Sequence, residues 1–214
     1  SGGAGCRLPP ERGEQGKPER KTLIGVTRGG TVDETTNVPL IRHQDRLYHD
    51  LGVPAEILAI REEVRAFADE HVATVAHAIG HTEESVASFP RGLMEKMARA
   101  NLFRIPFAAE SGGRGLQHSA TATAVMIEEL AYHSNSVAAI VDVNCILAGN
   151  ALKGGSAYLK QTYLAPLLNG NKIGSFATTE PDASTDLSVS AMRTIATRTA
   201  GGYSITGRKR FISN

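Results

Sequence analysis

From Pro54 to about Leu168 the apolar residues recur every three to five positions, and after Ile173 they recur every second one. That change of period constrains the fold more than any other feature, because it separates helices from strands along the chain. Ile57, Ile60, Val64, Phe67, Val72 and Val75 make one apolar face, with Arg61, Glu62, Arg65 and Asp69 opposite, which predicts an amphipathic first helix. Pro90 suits the first turn of a second helix, where its missing N–H costs nothing. Leu93, Met94, Met97 and Ala98 give that helix a buried stripe, and it ends near Asn101. After a loop centred on Ser111-Gly112-Gly113-Arg114-Gly115, a third helix is expected from about Ser119 to Tyr132. A fourth, from about Ser136 to Leu152, is apolar nearly all round and suits the centre of a bundle. Gly154-Gly155 separates it from a fifth helix, with Leu159, Tyr163, Leu164, Leu167 and Leu168 on one face and Gly170 as its stop.

Beyond it, Ile173 to Thr179 reads as a strand ended by Pro181. Arg193 to Thr199 alternates, Gly201-Gly202 signals a hairpin turn, and Tyr203 to Thr206 is the return strand. Gly207-Arg208 turns the chain again, into Lys209 to Ser213. The expected fold class is therefore α+β: an N-terminal all-α bundle followed by the first strands of an antiparallel β-domain that is incomplete at Asn214. Three regions follow: residues 1–53 as a Gly-, Arg- and Pro-rich leader without period, expected to be disordered; 54–171 as the helical domain; and 172–214 as a partial β-domain.

Bulk properties exclude several classes. A net charge of +1 over 214 residues gives no general electrostatic case for nucleic acid or an anionic membrane. Cys6 and Cys145 lie far apart in dissimilar surroundings, which argues against a disulfide framework and for a reducing compartment. The longest apolar run, Val137 to Leu152, is interrupted by Asp142, Asn144 and Asn150. A membrane span needs roughly 20 apolar residues, so the run reads as a buried helix. The first residues lack an apolar signal core, and Glu11, Glu14 and Glu19 suit a transit peptide poorly, so a cytoplasmic location is expected.

The chemistry concentrates near the end of the chain. Gly174-Ser175-Phe176-Ala177-Thr178-Thr179-Glu180-Pro181-Asp182-Ala183-Ser184-Thr185-Asp186 is followed by Gly207-Arg208-Lys209-Arg210-Phe211-Ile212-Ser213-Asn214. Thr178 and Thr179 offer hydroxyls and backbone N–H groups at the end of the expected strand. Short residues from Asp182 to Thr185 allow close backbone approach to a phosphate. Together with Ile105-Pro106 to Leu116 and Tyr163-Leu164-Ala165-Pro166-Leu167-Leu168-Asn169-Gly170, these segments resemble four ordered motifs of the acyl-CoA dehydrogenase family, over Pro54 to Asn214.

The resemblance implies an FAD flavoprotein that α,β-dehydrogenates acyl-CoA thioesters and passes electrons to an electron-transfer flavoprotein, a homo-oligomer when full length. It assigns Phe176, Thr178, Thr179, Thr185, Phe211, Ile212 and Ser213 to the flavin, with Thr185 also near the thioester. The family's catalytic Glu belongs to a C-terminal helical domain that this chain does not contain, so the chain reads as a fragment with no catalytic residue of its own. Departures from the pattern include Ser184 where the family has Gly, an added carboxylate at Asp182, and Phe211 where many members have Trp. Two other readings stay open: a flavin oxidase or monooxygenase on the same scaffold, and an inactive helical module that binds acyl-CoA or a partner.

Simpler readings stand beside these. Glu180 is expected to shape the turn, and Glu128 and Glu129 to be a solvated or interhelical pair. His77 and His81 share a helix face but lack further ligands, so they read as surface histidines, and no metal site is assigned.

Overall fold

The computed structural model describes residues 52–214 other than Glu84 and Thr185. All but the last two residues of the expected leader thus lie outside the described residues. Segments Ala55–Phe67, Ala68–Val72 and Ala73–His81 run on as one helix, α1, whose middle segment is a wider π-helical turn. Its buried stripe is Ile57, Ile60, Val64, Ala68 and Val72, one residue per turn. Phe67 and Val75, expected on that stripe, lie at its partly buried edge, because Ala68 stands a full turn after Val64 and takes the central place. Helix α2, Arg91–Arg99, starts just after Pro90, whose carbonyl accepts from the N–H groups of Leu93 and Met94. It buries the expected Leu93, Met94, Met97 and Ala98, and Asn101 follows it with φ 58°.

The connection from α2 to the next helix is part of the core. Short 3₁₀ turns at Leu102–Arg104 and Ala109–Ser111 bracket a stretch in which Leu102, Phe103, Ile105 and Phe107 are all buried. Gly113 presses so closely on Phe107 that any Cβ would fall inside the Phe107 carbonyl group, which explains the Gly at this position of the loop.

Helix α3, Ser119–His133, lies along α1 and then along α4. Helix α4 comprises Asn135–Val141, Asp142–Gly149 and Asn150–Lys153, again with a π-helical middle, and Ser134 caps it by accepting from the Val137 N–H at 3.3 Å. Helix α5 comprises Ala157–Leu159, Lys160–Leu164 and Ala165–Leu168. Pro166 is tolerated within α5 directly after a π-helical turn, where the regular ladder is already broken. Leu164, Leu167 and Leu168 are buried, whereas Leu159 and Tyr163, expected on the same face, stay over a third exposed.

Helix α4 is not enclosed on all sides, contrary to the expectation from its composition. Val137, Ala138, Val141, Asn144, Cys145 and Ala148 are buried, but Leu147 is exposed and Ile140, Ile146 and Leu152 are only partly covered. Among the described residues it is the one helix long and apolar enough to cross a membrane by length and composition alone, and one of its faces is packed into the core.

Two strands follow, β1 (Ile195–Thr199) and β2 (Gly202–Thr206), antiparallel with Ile195 opposite Thr206 and Thr199 opposite Gly202. The hairpin matches expectation to within two residues at the start of β1. Both of its faces are exposed. The other two expected strands are corrected. Residues 173–179 and 209–213 form no ladder, because they meet through single hydrogen bonds and not through the repeated backbone pairing that a strand needs.

Candidate functional site

The chain from 174 to 214 is gathered around one buried carboxylate. Pro181 ends the extended run, and Glu180 and Ser184 close a tight turn by exchanging backbone hydrogen bonds of 3.0 and 2.9 Å. The Glu180 side chain, 2% exposed, turns back under it. Oε2 accepts from the Arg193 N–H at 2.6 Å; Oε1 accepts from the Thr194 N–H at 3.0 Å and the Lys209 ammonium at 2.9 Å. Hydrogen bonds from Thr194 and Arg193 and the Lys209 ammonium outweigh burial and hold this carboxyl down at about 2. One side chain thus joins the turn, the entry to β1 and the segment after β2.

The two motif segments meet along their backbones. Lys209 Nζ also donates to the Thr178 carbonyl at 3.1 Å, and the Arg210 N–H donates to the Thr179 carbonyl at 2.9 Å. The Ser175 hydroxyl donates to the Ser213 carbonyl at 2.7 Å, and Asn214 Nδ2 donates to the Gly174 carbonyl at 3.1 Å. Side chains replace the missing ladder.

The same segment is fixed to the helical domain at Gly174. Its N–H donates to Asn144 Oδ1 at 2.7 Å, and Asn214 Nδ2 reaches the Ile140 carbonyl of α4 at 3.0 Å. A Cβ at position 174 would lie 2.7 Å from Ala148 Cβ and 2.8 Å from Leu167 Cδ1, so only glycine lets the backbone sit this close to α4 and α5. An apolar cavity of about 270 Å³ adjoins it, lined by Ala148, Leu152, Tyr163, Leu167, Ile173 and Phe176 among others. Beside Asn144, burial pushes the Cys145 thiol up to about 12, which leaves it an inert core residue.

Of the residues expected at a flavin, Thr178 and Thr179 are half-buried, Phe176 and Ile212 are each 37% exposed, and Phe211 and Ser213 are exposed. Thr185 lies outside the described residues. Phe211 has φ 54°, and the Arg210 guanidinium lies 4.5 Å from its ring centre. Ser184, where the family pattern has Gly, does adopt positive φ, 52°, at a cost of about 1 kcal/mol for a residue with a Cβ. Asp182 is exposed, and Asp186 is held below the usual carboxylate range by hydrogen bonds from Ser188.

Three contributors were not assigned a site role from sequence. Asn144 was readable as a polar residue inside an apolar helix, Lys209 as the lysine of the Gly-x-Lys motif, and Asn214 gave no signal beyond its motif position. Elsewhere, Glu129 is buried and takes a two-pronged hydrogen bond from Arg65 of α1, while Glu128 is exposed. His77 and His81 stack 4.1 Å apart on the surface, and no group of three metal-ligating side chains occurs among the described residues.

The donor set fits a flavin. The Thr179 N–H has no acceptor among the described residues, the hydroxyls of Thr178, Thr179 and Ser213 belong to two segments held against each other, and Phe176, Phe211 and Ile212 leave apolar surface uncovered nearby. The family profile "Acyl-CoA dehydrogenase, N-terminal domain" matches residues 54–171. The chain is 33% identical over 166 residues to the short-chain specific acyl-CoA dehydrogenase of Clostridium acetobutylicum, covering 77% of this chain and 42% of that protein. It therefore spans about two fifths of that relative's length. Its fold superposes on butyryl-CoA dehydrogenase from Megasphaera elsdenii with a TM-score of 0.62 and 25% identity, over 77% of this chain and 42% of that one. It superposes on the FAD complex of PigA with a TM-score of 0.65 and 29% identity, over 77% and 42%. With a family profile spanning more than half of its residues, the chain belongs to the acyl-CoA dehydrogenase family.

Proposed function

We propose that this chain supplies the helical domain and the first flavin-facing segments of a flavoprotein that α,β-dehydrogenates acyl-CoA thioesters, with FAD as cofactor. The observation that carries the reading is the junction of residues 174–180 with 209–214, through Lys209, Arg210 and Ser175. It brings the hydroxyls, N–H groups and aromatic rings expected at a flavin onto neighbouring backbone. Bound there, FAD supplies the acceptor for the hydride lost from the substrate's β-carbon.

The residues of the chain hold and orient. The Thr178 and Thr179 hydroxyls and the Thr179 N–H provide donors, Ser213 provides a further hydroxyl, and Phe176, Phe211 and Ile212 exclude water from the apolar faces. Thr185 is proposed beside both cofactor and thioester. No residue of the chain is assigned the base that removes the α-proton. Such a group needs a pKa near the working pH, whereas Glu180 is held at about 2 with its oxygens already occupied. That base, the electron-transfer flavoprotein as acceptor, assembly as a homo-oligomer and a cytoplasmic location are parts of the same proposal for the whole protein.

Titration of the purified protein with FAD tests the reading. Quenched flavin fluorescence and retention of yellow cofactor through desalting are expected. Free passage of FAD with unchanged fluorescence would overturn it.

A further inference from the structure

We propose that Lys209 is a positioning residue for the FAD site: its ammonium, braced by Glu180, grips the Thr178 carbonyl and so aims and strengthens the Thr179 N–H as a donor to the flavin. The inference rests on the functional reading above and gives Lys209 a role at that site beyond joining the two segments.

Thr178 C=O and Thr179 N–H are the two ends of one peptide group. The carbonyl end accepts from Lys209 Nζ at 3.1 Å, and the N–H end has no acceptor among the described residues. A cation on the carbonyl oxygen draws electron density through the amide and makes its N–H a better donor, the cooperative effect of linked hydrogen bonds. The following peptide is held as well, since the Thr179 carbonyl accepts from the Arg210 N–H at 2.9 Å. Lys209 is 21% exposed, so its charge is partly withdrawn from water, and the Glu180 carboxylate at 2.9 Å offsets that withdrawal.

A spacer would need neither the charge nor this aim. The Arg210–Thr179 bond and the Ser175–Ser213 bond already join the two segments without Lys209. What Lys209 adds is a positive charge on a peptide whose other end is unused.

The test compares K209M, which keeps length and loses charge, with K209R, which keeps charge, in the whole protein that carries this chain. The readouts are FAD affinity by flavin fluorescence, the midpoint potential of the bound flavin, and helical circular dichroism. K209M is expected to weaken FAD binding about tenfold or more and to move the potential to more negative values, since a positive charge favours the reduced, electron-rich flavin. K209R is expected to recover most of both. Parent affinity and potential in K209M would overturn the inference, as would weakened binding at an unchanged potential with no recovery in K209R. Should K209M unfold, K209Q serves with the same expected and overturning results, because its amide still donates a neutral hydrogen bond. A parent protein that takes up no FAD would overturn the functional reading and this inference with it. A parent that binds FAD beside an indistinguishable K209M would overturn this inference alone.

Discussion

Glu180 shows how much one side chain organises. Its carboxylate accepts from two backbone N–H groups of the β1 entry and one ammonium, and its backbone closes the Thr-Glu-Pro turn. The pH consequence follows from its depressed pKa. The stability it contributes is fully present above about 4.5, its ordinary value, and is lost as pH falls towards about 2. In E180Q, urea unfolding followed from pH 6 down to about pH 2 is expected to start from lower stability and to decline less steeply than the parent. Parallel pH profiles for the two proteins would show that the carboxylate is not held as described. The sequence placed Glu180 in the right motif and gave it a structural role. Its three donors were not legible, because two are backbone groups 13 and 14 residues away and their approach depends on the fold of the turn.

At the scale of elements, the helices were legible because each carries an apolar stripe at the helical period, as Ile57, Ile60 and Val64 do on α1 and Leu93, Met94 and Met97 on α2. Composition overstated the enclosure of α4, since an all-apolar helix looks buried whether or not neighbours cover every side. The strands read correctly where a local turn pairs them, as in the β1–β2 hairpin, and failed at 173–179 and 209–213, where pairing depends on distant chain. What holds the 173–179 run instead is its seat on α4 at Gly174. Replacing that residue, G174A, places a methyl 2.7 Å from Ala148 Cβ and 2.8 Å from Leu167 Cδ1. The expected loss is about 1–3 kcal/mol in chemical denaturation, with the helical signal retained. An unchanged unfolding midpoint would mean that the segment does not lie against α4 and α5.

Across the molecule, α1 and α3 are laced by polar contacts as well as by the core: Arg65 to Glu129, and His133 to Asp69 at 2.6 Å. The helical domain presents α4 and α5 as a platform, and the platform receives Gly174 and Asn214 through Asn144 and the Ile140 carbonyl. Residues 174 and 214 are thus registered directly against the helices. In the proposed function, residues 174–180 and 209–214 form one face that receives FAD, with the Thr179 N–H directed at the cofactor. Amide hydrogen exchange by NMR, with and without saturating FAD, tests it residue by residue. In the free protein the Arg210 amide, bonded to the Thr179 carbonyl, is expected to exchange slowly and the Thr179 amide quickly, and FAD is expected to slow Thr179 by about tenfold or more. A Thr179 amide whose exchange is untouched by bound FAD, or an Arg210 amide that exchanges as fast as an exposed one, would contradict that claim.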